Sequence, residues 1–138
     1  MKRIGQGGFA TLEVILMVTV IGILASIAVP RFNDITTRAN TAKIQSDLTT
    51  IDTAIAVYNM NKSTSLTNDA GISVLSEYLD GADKLEPPTS GKCYMGSNTE
   101  AAIPTGGYKI KVEEGGKTYA VLGGHSAAEF FYKPAAGT

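Results

Sequence analysis

Cysteine is nearly absent from this 138-residue sequence, with Cys93 standing alone. An internal disulfide is therefore excluded, and in an exported body the thiol is either buried or free to pair between chains. Histidine is equally scarce: His125 lies in Gly123-Gly124-His125-Ser126. A four-residue spacing would bring His125 and Glu129 together on a helix. Two ligands are fewer than most zinc or iron sites use, so a solvated loop histidine is expected. No Ser/His/Asp arrangement, phosphate-cradling glycine loop or CxxC pair is present, which leaves no motif for nucleophilic, nucleotide-dependent or dithiol chemistry. Neither sign of charge dominates, since 12 Lys and Arg face 13 Asp and Glu for a net −1. Without a basic patch interleaved with aromatics, no general nucleic-acid binding is expected. These absences point to a chain that is not an enzyme and holds no metal and no cofactor.

What the sequence does have is one long apolar run, beginning at Phe9 and stopping at Pro30. Its length, about 21 residues or roughly 31 Å as an α-helix, matches a bilayer core of ~30 Å. Yet Glu13 sits near its start, and a carboxylate inside such a span costs about 2.5 to 3.5 kcal/mol. Three readings compete. A secretory signal peptide would use Lys2 and Arg3 as its basic region and Ser26-Ile27-Ala28 as its cleavage site, releasing a soluble binding protein through the Sec route. The apolar core is longer than such signals carry, and it holds a charge. A plain membrane anchor accounts for the length but not for Gly7-Gly8 or for an acid in the first turn and a half. The third reading places a cut between Gly8 and Phe9.

Gly8-Phe9-Ala10-Thr11-Leu12-Glu13, behind a short basic leader and ahead of an apolar span ending in Pro30, resembles the processing and assembly segment of type IV pilins and type II secretion pseudopilins. The resemblance covers Met1 to about Tyr58 and is architectural beyond that. It implies a leader over residues 1–8, removed by a prepilin peptidase that also methylates the new Phe9 amine. It implies a transmembrane and filament-core helix over 9–30, and a periplasmic or extracellular body over 31–138. The implied partners are further copies in a helical filament, the inner membrane, an assembly ATPase, platform proteins and minor pilins. The implied location is an inner-membrane pool that feeds a periplasmic pseudopilus or a surface pilus.

The chemistry of that cut gives Glu13 a use. A new α-amine, with a reference pKa of about 7.7 to 8.0, would appear at nearly the depth of the carboxylate. Pairing would offset the desolvation that either group suffers alone. If Glu13 of one copy meets the Phe9 amine of another, the pair sets axial stagger, as a buried polar residue sets register in a coiled coil. Glu13 is thus assigned to assembly. Lys2 and Arg3 on the uncut side fit a positive-inside orientation.

Helical periodicity continues beyond Pro30. Ile44, Leu48, Ile51, Ile55 and Tyr58 form one stripe, with Lys43, Asp47, Thr50 and Asn61 largely off it. The long helix is therefore expected to reach about Met60, with a membrane-spanning first half and an amphipathic second half, and to bend or loosen at Gly22 and Pro30. Residues 61–71 read as a loop, with Asp69 as the N-cap of a short helix that turns Ile72, Leu75 and Leu79 inward and ends at Asp80-Gly81. A turn-rich connector over 86–91 follows. Tyr108, Ile110 and Val112 alternate as a strand, 113–116 is a turn, and 118–122 returns; Cys93-Tyr94-Met95 and Phe130-Phe131-Tyr132 are candidate flanking strands. The expected class is α+β, with the long N-terminal helix packed on a small antiparallel β-sheet.

Two departures from the family pattern stand out. A lone Cys93 cannot close the C-terminal disulfide loop of many type IV pilins. The loop over 123–129, which binds calcium in some major pseudopilins, carries only Glu129, and the acids at Asp80, Asp83 and Glu86 read as a solvated loop.

Overall fold

The computed structural model describes residues 6–96 and 98–134. Lys2 and Arg3, with the rest of 1–5, lie outside the described residues. The chain forms two compact units, one up to Ile35 and one from Thr36 onward.

A single α-helix, α1, runs over Gln6–Asn61. It is α-helical through Gly22 and Pro30 alike. In the first unit its large apolar side chains from Phe9 to Ile35 are between 54% and 79% exposed. Nothing within that unit covers them, because a lone helix has no second layer against which to bury a face.

From Thr36 the same helix acquires a buried stripe. Ile44, Leu48 and Ile51 are fully buried, with Ile55 and Tyr58 nearly so, as the spacing predicts. The stripe begins earlier than hydrophobicity alone suggests, at the buried Thr37 and Thr41. Thr41 is tolerated there because its hydroxyl donates to the Thr37 carbonyl at 2.7 Å and accepts from the Tyr94 amide at 2.7 Å. The stripe packs with Leu75, Ile110, Leu122 and Phe130 into one core, each large side chain contributing about 1.5–3 kcal/mol by leaving water.

Opposite the helix stand two antiparallel ribbons rather than one continuous sheet. Strand β1 (Lys92–Met95) pairs with β2 (Thr99–Ala102), and β3 (Lys109–Val112) pairs with β4 (Thr118–Val121). β2 was not anticipated: Thr-Glu-Ala-Ala has neither apolar alternation nor β-branched density. Its pairing partner supplies the order.

Two local expectations are corrected. Asp69 does not cap a helix. It has φ 62, its amide donates to the Ile110 carbonyl at 2.9 Å, and the 3-10 turn Ile72–Leu75 follows Gly71 without a side-chain cap. Edge pairing along β3 outcompetes capping there, and Leu79 lies partly buried beyond the turn. Phe130-Phe131-Tyr132 is not a strand. Phe130 is a fully buried anchor after the 3-10 turn Ala127–Glu129. Beyond it, Asn98 clasps Lys133 with reciprocal hydrogen bonds of 2.6 and 2.7 Å. The Tyr132 ring lies 4.9 Å from that of Tyr94, and the Arg38 guanidinium 4.1 Å above it. Side-chain contacts replace a backbone ladder.

Candidate assembly segment

The N-terminal part of α1 brings Gly8, Phe9, Glu13, Gly22 and Pro30 onto one helix. Gly8 has open space where a Cβ would stand, and Phe9 is 79% exposed. Phe9 and Glu13, four residues apart, fall on the same helical face, separated by about 6 Å along the axis. Glu13 borders a shallow groove with Leu16, Met17, Val20 and Ile21.

The polar residues of this span divide into two kinds. Thr11 donates to the Gly7 carbonyl at 2.5 Å, Thr19 to Ile15 at 2.7 Å and Ser26 to Ile23 at 2.7 Å. These hydroxyls are satisfied by the helix itself, so they can enter an apolar medium with little penalty. Glu13 has no ion pair among the described residues. A carboxylate only accepts hydrogen bonds, and in a helix the nearby amides are already engaged. It is the polar group of the span that needs a partner from outside.

The remaining candidates lie in the second unit. Cys93 is fully buried in the core, and burial pushes its thiol up from the ordinary value. His125 Nδ1 lies 3.1 Å from Glu129 Oε1 on an exposed loop. That hydrogen bond, with a second from the Ser126 amide at 2.8 Å, holds the Glu129 carboxyl below its usual range. Asp80, Asp83 and Glu86 are exposed. Among the described residues no three His, Cys, Asp or Glu side chains gather as a metal-holding group.

Several contacts that hold the body together were not legible as sites. Asn40 Nδ2 donates to the carbonyls of Ser90 and Lys92 at 3.1 and 3.0 Å, and Asp52 accepts from the Ala120 amide at 2.6 Å. These residues sit beside the apolar stripe and look like solvent-facing positions in sequence. The only hint is their position on the borders of that stripe, where a side chain can reach a neighbouring strand end.

No protein-family model matches the chain, and no solved structure matches it significantly. Among characterised proteins it is 32% identical over 75 residues to the type II secretion system core protein G of Klebsiella michiganensis, covering 54% of this chain and 53% of the relative. It is 27% identical over 130 residues to the type II secretion system core protein G of Klebsiella pneumoniae, covering 91% and 82%. A type IV narrow pilus major component of Thermus thermophilus is 40% identical over 50 residues, covering 36% and 43%. The chain thus spans about half the length of the first relative and most of the second. With a long apolar N-terminal helix, a buried amphipathic continuation and small antiparallel ribbons, the chain is similar in sequence and architecture to type II secretion pseudopilins and type IV pilins.

Proposed function

We propose that this protein is the structural subunit of a type IV filament, cut between Gly8 and Phe9 by a prepilin peptidase, methylated at Phe9 and assembled through its N-terminal helix. The observation that carries this reading is Glu13, a carboxylate without an ion pair among the described residues, in an apolar span whose Thr11, Thr19 and Ser26 hydroxyls are satisfied by the helix itself. A bundle of such helices gives it what lipid does not, a cationic α-amine at matching depth. Moving the helix from lipid into a bundle changes apolar burial little, so packing and the Glu13 pair supply the specificity. Gly22 and Pro30 are the positions where the rod bends or loosens on that transfer, because Pro30 has no amide to donate back to Ser26.

In this reading the subunits wait in the inner membrane. A separate ATPase acting through platform proteins drives extrusion, and minor pilins share the filament. The relative whose match extends across the body is a secretion protein, which favours a periplasmic pseudopilus over a surface pilus.

Mass spectrometry of the mature protein, with filament counts in sheared and periplasmic fractions, tests the proposal. A methylated Phe9 terminus on filamentous protein is expected. A terminus at Val29 would instead indicate a released soluble protein, and an intact Met1 a plain anchor.

A further inference from the structure

Three lysines of the body are matched by acids: Lys43 with Asp47, Lys62 with Glu77, Lys92 with Glu100. The outer face of the β3–β4 ribbon is different. Lys109 and Lys111 alternate along β3 with the buried Ile110 between them, so both stand on the exposed face. Neither has an ion pair among the described residues. They border a cleft of about 380 Å³ whose other lining includes Asn68, Asp69, Val121 and glycines at 106–107 and 123–124. Gly123 and Gly124 form the tight turn closed by Leu122 and His125, with φ of 59 and 87. A Cβ on Gly123 would collide with the Pro104 side chain, so this wall stays backbone.

Asp69 is the one acid lining the cleft, and two lysines leave it with net charge of one positive unit. That balance suits a single carboxylate side chain and disfavours a polyanion. The complementary surface lies on the same chain. Asp80, Asp83 and Glu86 are exposed around the 3-10 turn Ala82–Lys84, and none has an ion pair among the described residues. Lys84, the basic residue in that turn, leaves it net negative.

We propose that the cleft between Lys109 and Lys111 receives a carboxylate from the Asp80–Glu86 turn of a second copy of this chain. The two surfaces are different patches of one chain, so the contact is heterologous and propagates instead of closing into a dimer. It rests on the filament reading and adds to it a body-to-body contact that selects neighbours by charge. Being exposed, the contact weakens with salt.

Full-length chains carrying charge reversals, expressed in place of the wild type, test this. Lys109→Glu with Lys111→Glu, and separately Asp80→Lys with Asp83→Lys, should each lower filament yield about fivefold, the upper range for exposed pairs. All four reversals together should restore yield to within about twofold of wild type. Protease resistance of the body checks folding, and Lys109→Gln with Lys111→Gln, expected to lose less, serves if the reversal unfolds it. Unchanged yield in the folded reversals, or a lysine-side loss that the acid-side reversal does not rescue, overturns the inference while leaving the filament reading intact. A wild type that forms no filaments overturns both.

Discussion

The Tyr108 hydroxyl donates a 2.6 Å hydrogen bond to Oδ2 of Asp47, across 61 positions of chain. The same oxygen accepts from Lys43 Nζ at 2.6 Å, and Lys43 also donates to the Glu86 carbonyl at 2.7 Å. The residue entering β3 and the outer half of α1 therefore meet at one carboxylate, and Lys43 ties the connector before β1 to it.

Tyr108→Phe removes the donor and leaves Asp47 paired to Lys43, so the loss should be about 1.5 kcal/mol, near the low end for a bond to a charged acceptor. Burial first, and then the bond to Asp47, push the Tyr108 phenol well above its ordinary value. The folded state thus holds the phenolic proton more tightly than the unfolded state. Wild-type stability should fall as pH rises above about 10, the unfolded value, and the Phe variant should lose less over that window. Urea unfolding at pH 7 and above pH 10 checks both.

Asp52 is the opposite case. Desolvation raises its pKa more than the bond from the Ala120 amide lowers it. Ionised Asp52 therefore weakens the fold slightly, and its penalty is relieved as pH falls through the raised folded pKa. Asp52→Asn keeps an acceptor for Ala120 and removes the charge. Its melting temperature should equal or exceed that of the wild type at pH 7, and the difference should shrink on acidification.

Gly91 sits between the two carbonyls that Asn40 bridges. Its φ is 91, and a Cβ there would stand 2.9 Å from Asn40 Nδ2. Gly91→Ala should lower stability by about 2 kcal/mol, combining a left-handed backbone with the displaced amide. Asn40→Ala should cost less, and the double variant less than the sum, since both act on one bridge.

The buried stripe starts at Thr37, so the body should fold without the apolar helix. A chain beginning at Asn33 should be soluble, monomeric and cooperative in unfolding, with a sharp near-UV spectrum from its tyrosines. Persistent aggregation would show that the ribbons need neighbouring copies.

Glu13→Leu should insert in the membrane at least as well as wild type, because it removes a charge from the span. It should still be cut after Gly8, yet yield few filaments when it is the only subunit present. Wild-type filament yield would remove the assembly role from the carboxylate.

The two halves of the helix were both legible in the sequence, for different physical reasons. A long apolar run has few alternatives to a helix, and a stripe at spacings of three and four has one buried face whatever lies opposite. The β3–β4 ribbon was legible too, since Tyr108, Ile110 and Val112 alternate. β2 was not, because Thr-Glu-Ala-Ala carries no strand pattern of its own and is ordered by pairing with β1; nor was the clasp between Asn98 and Lys133, whose partners lie 35 positions apart.

Glu13 shows how far sequence reaches at the candidate site. Its oddity is a local fact, a charge in an apolar run, and so is visible without coordinates. That Thr11, Thr19 and Ser26 satisfy themselves while Glu13 does not is a matter of backbone geometry. Cys93 was left open by sequence, buried or free to pair, and only the packing around β1 decided that it is buried.

Composition and periodicity by themselves determined the long helix, its apolar and amphipathic halves and the position of the one carboxylate within the apolar run, since these depend on residues within a few turns of each other. Tertiary structure alone decided which polar residues hold the body together and which charges stay unmatched. Pairings such as Tyr108 with Asp47, or the cleft that gathers Lys109 and Lys111 with Asp69 and Gly123, are set by the return path of the chain, and no local pattern encodes them.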